Sequence, residues 1–323
     1  MKGNASAFSN DCHWLIRDVQ SALHDIRFEC ISHTSSRGNE LGNILVFVAA
    51  ISWSTAGLFT RIVSTDFPTT LFWRSLFGGL CVLIIYCLVS SPVNRRRIFL
   101  FSKGEFIIGM LITAGMLCFI SSFFYTTVAN VSFIYGLMPL LTLFLSVVVL
   151  KEKSNALALS MCLLSTIGVA FIMWGIKNVD DQLGLLLAFG MTFFMASLTV
   201  ATKFYPSAEI AKSTYLSAFL CAIVVYPFSS PIDSFSNDYY WLTAYGVTNV
   251  GLGFGVYLLG VSRTTAISAA LISLIEIPLG PVWTWVLFDE YVSIRTIVGG
   301  IIIMTATIVC LTFAQPGKQA AST

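Results

Sequence analysis

The stretch TAISAALISLIEIPLGPVWTWVLFDEYVSIRTIVGGIIIMTATIVCL, residues 265–311, decides the fold. Two long apolar runs flank the acidic pair Asp289-Glu290, and the first run contains one charged residue, Glu276. A carboxylate in the middle of a membrane-length helix is costly, so it usually faces a cavity or a partner. The stretch therefore predicts two membrane-spanning helices with a functional acid in the first.

The whole chain has the composition of a polytopic membrane protein. It is 56% hydrophobic and 11% charged, whereas soluble domains carry about 25% charged residues. A membrane span needs about 20 mostly apolar residues. Ten runs of about that length predict ten transmembrane helices: 41–61, 68–90, 105–123, 127–150, 155–175, 182–202, 211–230, 239–260, 265–288 and 294–313.

The loops between these spans are unequal in positive charge. If both termini are cytoplasmic, 14 Lys and Arg residues lie on that side and two, Lys177 and Arg295, on the other. Positive charge favours the cytoplasmic side of a membrane. The loop with Arg95, Arg96 and Arg97 is then a topology anchor and too short for a nucleic-acid surface. Residues 1–40 form a polar cytoplasmic tail, without the pattern of a cleaved signal peptide, and residues 314–323 a second short one.

The two halves of the chain repeat each other. Residues 42–62 align with residues 184–204, an alignment that pairs Arg61 with Lys203. Further matches follow in register, 138 or 139 residues apart: Ser90-Ser91-Pro92 with Ser229-Ser230-Pro231, Gly115 with Gly253, Thr126-Thr127 with Thr264-Thr265, and Glu152 with Glu290. Five spans per repeat, an odd number, place residues 41–176 and 182–313 in opposite orientations. The predicted fold is therefore an all-α membrane protein of two inverted-topology five-helix repeats, a design typical of secondary transporters.

Polar residues on the fourth span predict where a binding site lies. Ser132, Tyr135, Pro139, Thr142 and Ser146 recur at helical spacing on one face. This face either lines a cavity or forms a dry packing seam. The matching part of the ninth span assigns Ser273, Glu276, Gly280 and Trp283 to the other side of the cavity. Asn249 and Tyr257 add a face of the eighth span, and Trp53, in the middle of the first, is a weaker candidate.

Arg74 is the second charge inside a span. It either snorkels to the headgroups or faces the cavity as an anion-binding or helix-locking residue. In the cavity, Arg74 would bind the anionic end of a substrate, and Glu276 would bind the cationic end or carry a coupling proton. The alternative for Glu276 is a structural hydrogen bond or a fixed ion pair with Arg74. Glu152 and Glu290 each precede a helix, so we expect them to complement its dipole.

The sequence indicates no cofactor and no metal site. The three histidines, His13, His24 and His33, lie in the N-terminal tail, where their spacing with Cys12 and Cys30 fits no compact zinc site. That tail could instead include a helix at the membrane surface, with Leu15, Val19 and Ile26 on its apolar face. A membrane-embedded enzyme needs converging His, Asp, Glu or Cys groups. Away from their end residues, the predicted spans contain one acid and no histidine, so we expect no enzymatic activity.

The chain resembles the EamA-type proteins of the drug/metabolite transporter superfamily. The resemblance rests on MPLLTLFLSVVVLKEK at 138–153 and IEIPLGPVWTWVLFDEYVS at 275–293, each like that family's proline-containing helix followed by an acidic turn. The turns read Leu-Lys-Glu and Phe-Asp-Glu, where the family usually has Leu-Gly-Glu. Arg74 also matches a common family position. The resemblance implies a carrier in the plasma or bacterial inner membrane, driven by proton exchange or by the substrate gradient.

The expected function is secondary active transport of a small polar or zwitterionic metabolite, amino-acid-like or similar, or of a drug, by alternating access. The alternative is a channel or a membrane-embedded sensor, although no ring of repeated charges or carbonyls is readable. The expected partners are the lipid bilayer and the small-molecule substrate. The oligomeric state is left open, a homodimer included, as are the substrate and the direction of transport.

Overall fold

The computed structural model describes residues 36–90, 98–151, 156–174, 178–261, 263–264 and 266–313. In these residues every regular element is helical. The α-helices are α1 Ser36–Ser54, α2 Ala56–Ile62, α3 Phe67–Val89, α4 Lys103–Tyr125, α5 Val128–Tyr135, α6 Met138–Val149, α7 Ala156–Met173, α8 Val179–Phe204, α9 Ile210–Val225, α10 Pro231–Tyr245, α11 Gly253–Val261, α12 Ala266–Ser273, α13 Glu276–Phe288 and α14 Ile294–Phe313. A 3₁₀ turn, Tyr226–Phe228, follows α9, and a π-helix, Gly246–Leu252, joins α10 to α11.

The chain is an integral membrane protein. Seven helical segments of the described chain are long and apolar enough to cross a bilayer, and two shorter apolar helices lie at Leu159–Met173 and Ile294–Cys310. The predictions for the N-terminal tail, for the Arg95–Arg97 loop and for Glu152 fall outside the described residues. The first helix begins at Ser36, a few residues inside the predicted tail.

Three predicted spans are interrupted by one or two residues that break the α-helical hydrogen-bond pattern, while the backbone there stays in the right-handed helical region. The first is divided at Thr55 into α1 and α2, the fourth at Gly136-Leu137 into α5 and α6, and the ninth at Leu274-Ile275 into α12 and α13. The last two interruptions lie 138 residues apart, the offset of the sequence repeat. Each second half has a proline near its start, which cannot donate a backbone hydrogen bond to the preceding turn.

The interruptions keep their backbone groups hydrogen-bonded, as burial in a bilayer requires. In the ninth span, the amide of Ile277 donates to the carbonyl of Leu274 at 3.1 Å, the carbonyl to which Pro278 cannot donate. In the first span, the hydroxyls of Ser54 and Thr55 donate to carbonyls three residues earlier, at 2.7 and 2.6 Å. Side chains and tightened turns thus replace the missing helical bonds.

Two further pairs of positions reflect the repeat. A Cβ on Gly42 would lie 2.8 Å from the backbone of Arg263, and one on Gly184 would lie 2.9 Å from the backbone of Thr126. Both glycines let the start of a helix approach a loop that precedes an interrupted span. Lys151 and Asp289, 138 residues apart, both have left-handed backbone conformations, with φ of 55° and 51°.

Spans from the two halves pack against each other through most of the molecule. Helix α4 packs on α8 and α9, and α3 packs on α9 and the π-helix. At one end a buried ion pair joins the starts of α4 and α9, with Lys212 Nζ 3.3 Å from Glu105 Oε2. The two interrupted spans cross at the centre, where α5 packs on α13.

Candidate functional site

A small cavity lies between the interrupted spans, against the division of the first span. Four of the predicted site residues line it: Trp53, Tyr135, Glu276 and Gly280. Its open volume is about 10 Å³, which is room for about one water molecule. The spans around it therefore have to separate before a metabolite can enter.

Glu276 owes its position to the interruption of the ninth span. It is the first residue of α13, so its carboxyl lies at the end of the helix dipole that favours negative charge. Transporters with discontinuous helices place such half-helix ends beside the substrate. Tyr135 and Tyr257 both lie close enough to Glu276 to interact with its charge.

The ninth span approaches the fourth closely at Gly280. A Cβ added at Gly280 would lie 2.8 Å from the hydroxyl oxygen of Ser132. Glycine at this position lets α13 cross α5 beside the cavity. Three residues along α13, the indole of Trp283 donates to the hydroxyl of Ser54 at 3.0 Å, and Ser54 lines the cavity. Trp283 thus adjoins the cavity and fixes one of its walls.

Aromatic side chains of the eighth span support the cavity from behind. The ring centroid of Tyr257 lies 4.9 Å from that of Trp53, and Phe254 contacts the same indole edge-on at 5.4 Å. The Tyr257 hydroxyl interacts with the side chain of Ser273, which donates its own hydroxyl to the carbonyl of Ala269 at 2.9 Å. Tyr257 and Ser273 therefore belong to the second layer around the cavity.

Arg74 lies on the other side of Trp53, away from the cavity lining. Its side chain is 2% exposed, and it donates to the amide oxygen of Asn249 at 2.6 Å. The guanidinium also lies 5.0 Å from the ring centroid of Tyr245 and 3.6 Å from the sulfur of Met116. Among the described residues these contacts are with uncharged groups. Arg74 is therefore buried rather than snorkelling, and its role toward a substrate stays a prediction.

Asn249 connects Arg74 to the first span. Its amide nitrogen donates to the carbonyls of Ser52 and Trp53 at 3.2 and 3.3 Å, just before the division at Thr55. Asn249 lies in the π-helix, a rare conformation found often at functional sites. Its side chain thus joins the buried charge to the backbone of a cavity residue.

Thr142, like Arg74, is a predicted site residue that does not line this cavity. It lies on α6, and its hydroxyl donates to the carbonyl of Met138 at 2.8 Å, within its own helix. Ser132 and Tyr135, from the same predicted polar stripe, line the cavity on α5. The interruption of the fourth span therefore divides the stripe between two half-helices.

Beside the cavity lies an ion pair that the sequence reasoning missed. Arg61, at the end of α2, contacts Glu290 with 2.9 Å between Nε and Oε2. The guanidinium also donates to the carbonyls of Phe123 and Thr126. The second oxygen of Glu290 accepts from the amide of Val128 at 2.7 Å. We call Arg61, Glu290 and the Val128 amide the latch.

The latch corrects the role predicted for Glu290. We expected its carboxylate to complement the dipole of the helix that follows it, α14. The carboxylate instead contacts the N-terminus of α5, from the other repeat, together with Arg61. Phe123 and Val128 both line the cavity as well as belonging to the contacts of this cluster. The latch thus joins the ends of the first, fourth and ninth spans next to two residues that line the cavity.

Comparisons with known proteins identify the class of this membrane protein. The model of the EamA-like transporter family matches residues 40–174 and 182–312. The chain is 26% identical over 257 residues to a protein from Synechocystis sp. named "uncharacterized transporter sll1164", a match that covers 72% of this chain and 73% of that protein.

A solved structure titled "Crystal structure of protein" has the same fold, with a TM-score of 0.60 at 17% identity. The match covers 84% of this chain and 96% of that one. The family points to a transporter rather than an enzyme. With nearly all of its helical part matched by the family model, the chain belongs to the EamA-like transporter family.

Proposed function

We propose that the protein is a secondary transporter that moves a small polar metabolite or drug through the Glu276 cavity by alternating access. The observation that carries this proposal is the position of the cavity. It lies where the interrupted fourth and ninth spans contact each other, and the intramembrane residue Glu276 lines it. Transporters built from repeats bind their substrates at such crossings.

The packing of the half-helices supports alternating access. At the latch end, α5 and α13 pack on each other, whereas α6 packs on α8, and α12 packs on α1. The half-helices nearest the latch are therefore closed against each other, and the other two are held by different neighbours. If α5 and α13 separated while α6 and α12 came together, the latch end of the cavity would open and the opposite end would close. If the termini are cytoplasmic, the latch closes the outer face.

Glu276 is our candidate for the proton carrier. A carboxyl group in a small, low-dielectric cavity can exchange between a proton and a cationic ligand. Burial also makes a lasting charge at this site costly. Exchange of the two ligands at one carboxyl would couple their movement in opposite directions.

The test is solute uptake into proteoliposomes. Vesicles with an imposed pH gradient would receive a defined mixture of amino acids, amines, nucleosides and cofactors, and mass spectrometry would measure what is retained. We expect one solute class to accumulate with the wild-type protein and not with Glu276→Gln. Undiminished accumulation in that variant would remove Glu276 as proton carrier. Single-channel conductance in planar bilayers would overturn the alternating-access mechanism, because a carrier shows none.

A further inference from the structure

The charge of the cavity lining narrows the class of substrate. Of the residues that line the cavity, Glu276 is the one with an ionisable acidic or basic side chain at neutral pH. The other lining groups are aliphatic, aromatic or hydroxyl-bearing. The cavity therefore has a place for one positive charge and offers no cation to a substrate carboxylate.

Aromatic rings surround the carboxylate. Trp53, Phe119, Phe123 and Tyr135 all line the same small cavity, and Tyr257 packs on the indole of Trp53. The faces of such rings attract ammonium groups within about 6 Å, and several rings together recognise substituted ammonium ligands. The aromatic rings and the carboxylate of Glu276 thus both favour a ligand with an ammonium group.

Arg74 is the intramembrane residue that could bind a substrate carboxylate, but its guanidinium contacts other groups. Its guanidinium contacts Asn249, Met116 and the ring of Tyr245, and its buried Nε has no hydrogen-bond partner among the described residues. Arg74 does not line the cavity, whereas Trp53, whose backbone Asn249 contacts, does. A zwitterion would leave its negative end among rings and aliphatic groups, where an unpaired charge is strongly disfavoured.

We propose that the substrate is an organic amine or substituted ammonium cation with an apolar body, bound with its charge on Glu276 and its body among the rings. This inference rests on the proposed transport function, whose site it shares. It replaces the zwitterion expected from sequence with a singly charged cation, because the two intramembrane charges lie in separate environments.

A matched ligand series tests this assignment. Purified full-length protein in detergent would be melted with 2-phenylethylamine, phenylalanine, 3-phenylpropionate and 2-phenylethanol, which share a ring and differ in charge. We expect the amine to raise the melting temperature in a concentration-dependent way. The acid and the alcohol should bind at least about tenfold more weakly, since a charge-assisted contact is lost. The zwitterion keeps its ammonium group but should also bind more weakly, since its carboxylate would be left unpaired among apolar groups.

Variants show whether the effect belongs to this cavity. Glu276→Gln should weaken binding of the amine at least about tenfold. Glu276→Asp, which keeps the charge, should retain most of that binding. Asp180→Asn removes an exposed carboxylate at the start of α8 and should leave amine binding unchanged. The melting temperature without ligand reports whether each variant is folded.

Two outcomes would overturn the inference. One is binding of phenylalanine or phenylpropionate at least as tight as binding of the amine. The other is the absence of any shift with amines, tetramethylammonium and choline included, at millimolar concentrations. If proteoliposomes nevertheless accumulate another solute class, the transport function stands and only the amine assignment fails.

Discussion

Replacing Glu290 by glutamine should open the latch end of the cavity. The pair it forms with Arg61 has 2.9 Å between nitrogen and oxygen, and the two side chains are 13% and 25% exposed, respectively. Exposed ion pairs contribute about 0.2–1 kcal/mol, and hydrogen bonds to charged groups about 1.5–3 kcal/mol. A half-buried pair, discounted for solvent screening, should therefore contribute about 1–2 kcal/mol. Glutamine keeps an oxygen for the Val128 amide, so the change removes mainly the charge.

A loss of that size changes the ratio of closed to open molecules by about 5–30-fold. The assay places a cysteine at Ser132, on the cavity wall, in a background without the native cysteines. An impermeant maleimide then labels it in sealed vesicles of either orientation. We expect labelling from the latch side to accelerate by about 5–30-fold in Glu290→Gln. Asp289→Asn, an exposed neighbouring acid, is the control. Equal rates in the wild type and in Glu290→Gln would refute the latch.

Three further predictions concern packing and backbone conformation. Gly280→Ala should lower the free energy of unfolding by at most about 1 kcal/mol, because the hydroxyl of Ser132, which its Cβ would meet at 2.8 Å, can rotate away. Ser132→Ala should restore part of that loss in a double variant. Asn249→Leu should destabilise the protein by about 3–5 kcal/mol, since it leaves Arg74 buried without its acceptor; adding Arg74→Met should recover stability rather than lower it further. Lys151→Val should be less stable than Lys151→Gly by about 1–2 kcal/mol, because φ at this position is 55°. Melting in detergent checks each difference, and additive effects in either double variant would contradict the corresponding contact.

The sequence predicted the membrane class, and it singled out Glu276, which lines the cavity, because both depend on local patterns. Long apolar runs are sufficient to predict the membrane class. For the second, one carboxylate inside such a run, next to Pro278, was sufficient to single out Glu276. What periodicity did not show is that the ninth span stops and restarts at that residue. A proline weakens a helix wherever it lies, and tertiary contacts decide whether the helix bends or divides.

The latch depends on residues 229 positions apart, which no local pattern connects. A signal was nevertheless present, because the repeat pairs Arg61 with Lys203 and Glu152 with Glu290. In an inverted repeat, ends of different halves meet at the same face, so the base of one half could have been matched with the acid of the other. Assigning each acid to its own neighbouring helix concealed this pairing.

Arg74 shows a different limit of sequence reasoning. An arginine inside a span left two alternatives open, snorkelling or a place inside the bundle, and the direction of its side chain depends on the π-helix that presents Asn249. One extra residue in a helical turn rotates every side chain that follows it. No composition or spacing signal in residues 246–252 marks that rotation.

The most direct test of the account measures both ends of the cavity in one sample. Spin labels at Tyr125 and Phe288 would report the latch end, and labels at Val149 and Arg263 the opposite end, in wild type and in Glu290→Gln. Alternating access predicts that the variant lengthens the first distance and shortens the second, with the same change in population. A longer latch-end distance with an unchanged opposite end would contradict alternating access and indicate a gate that opens independently.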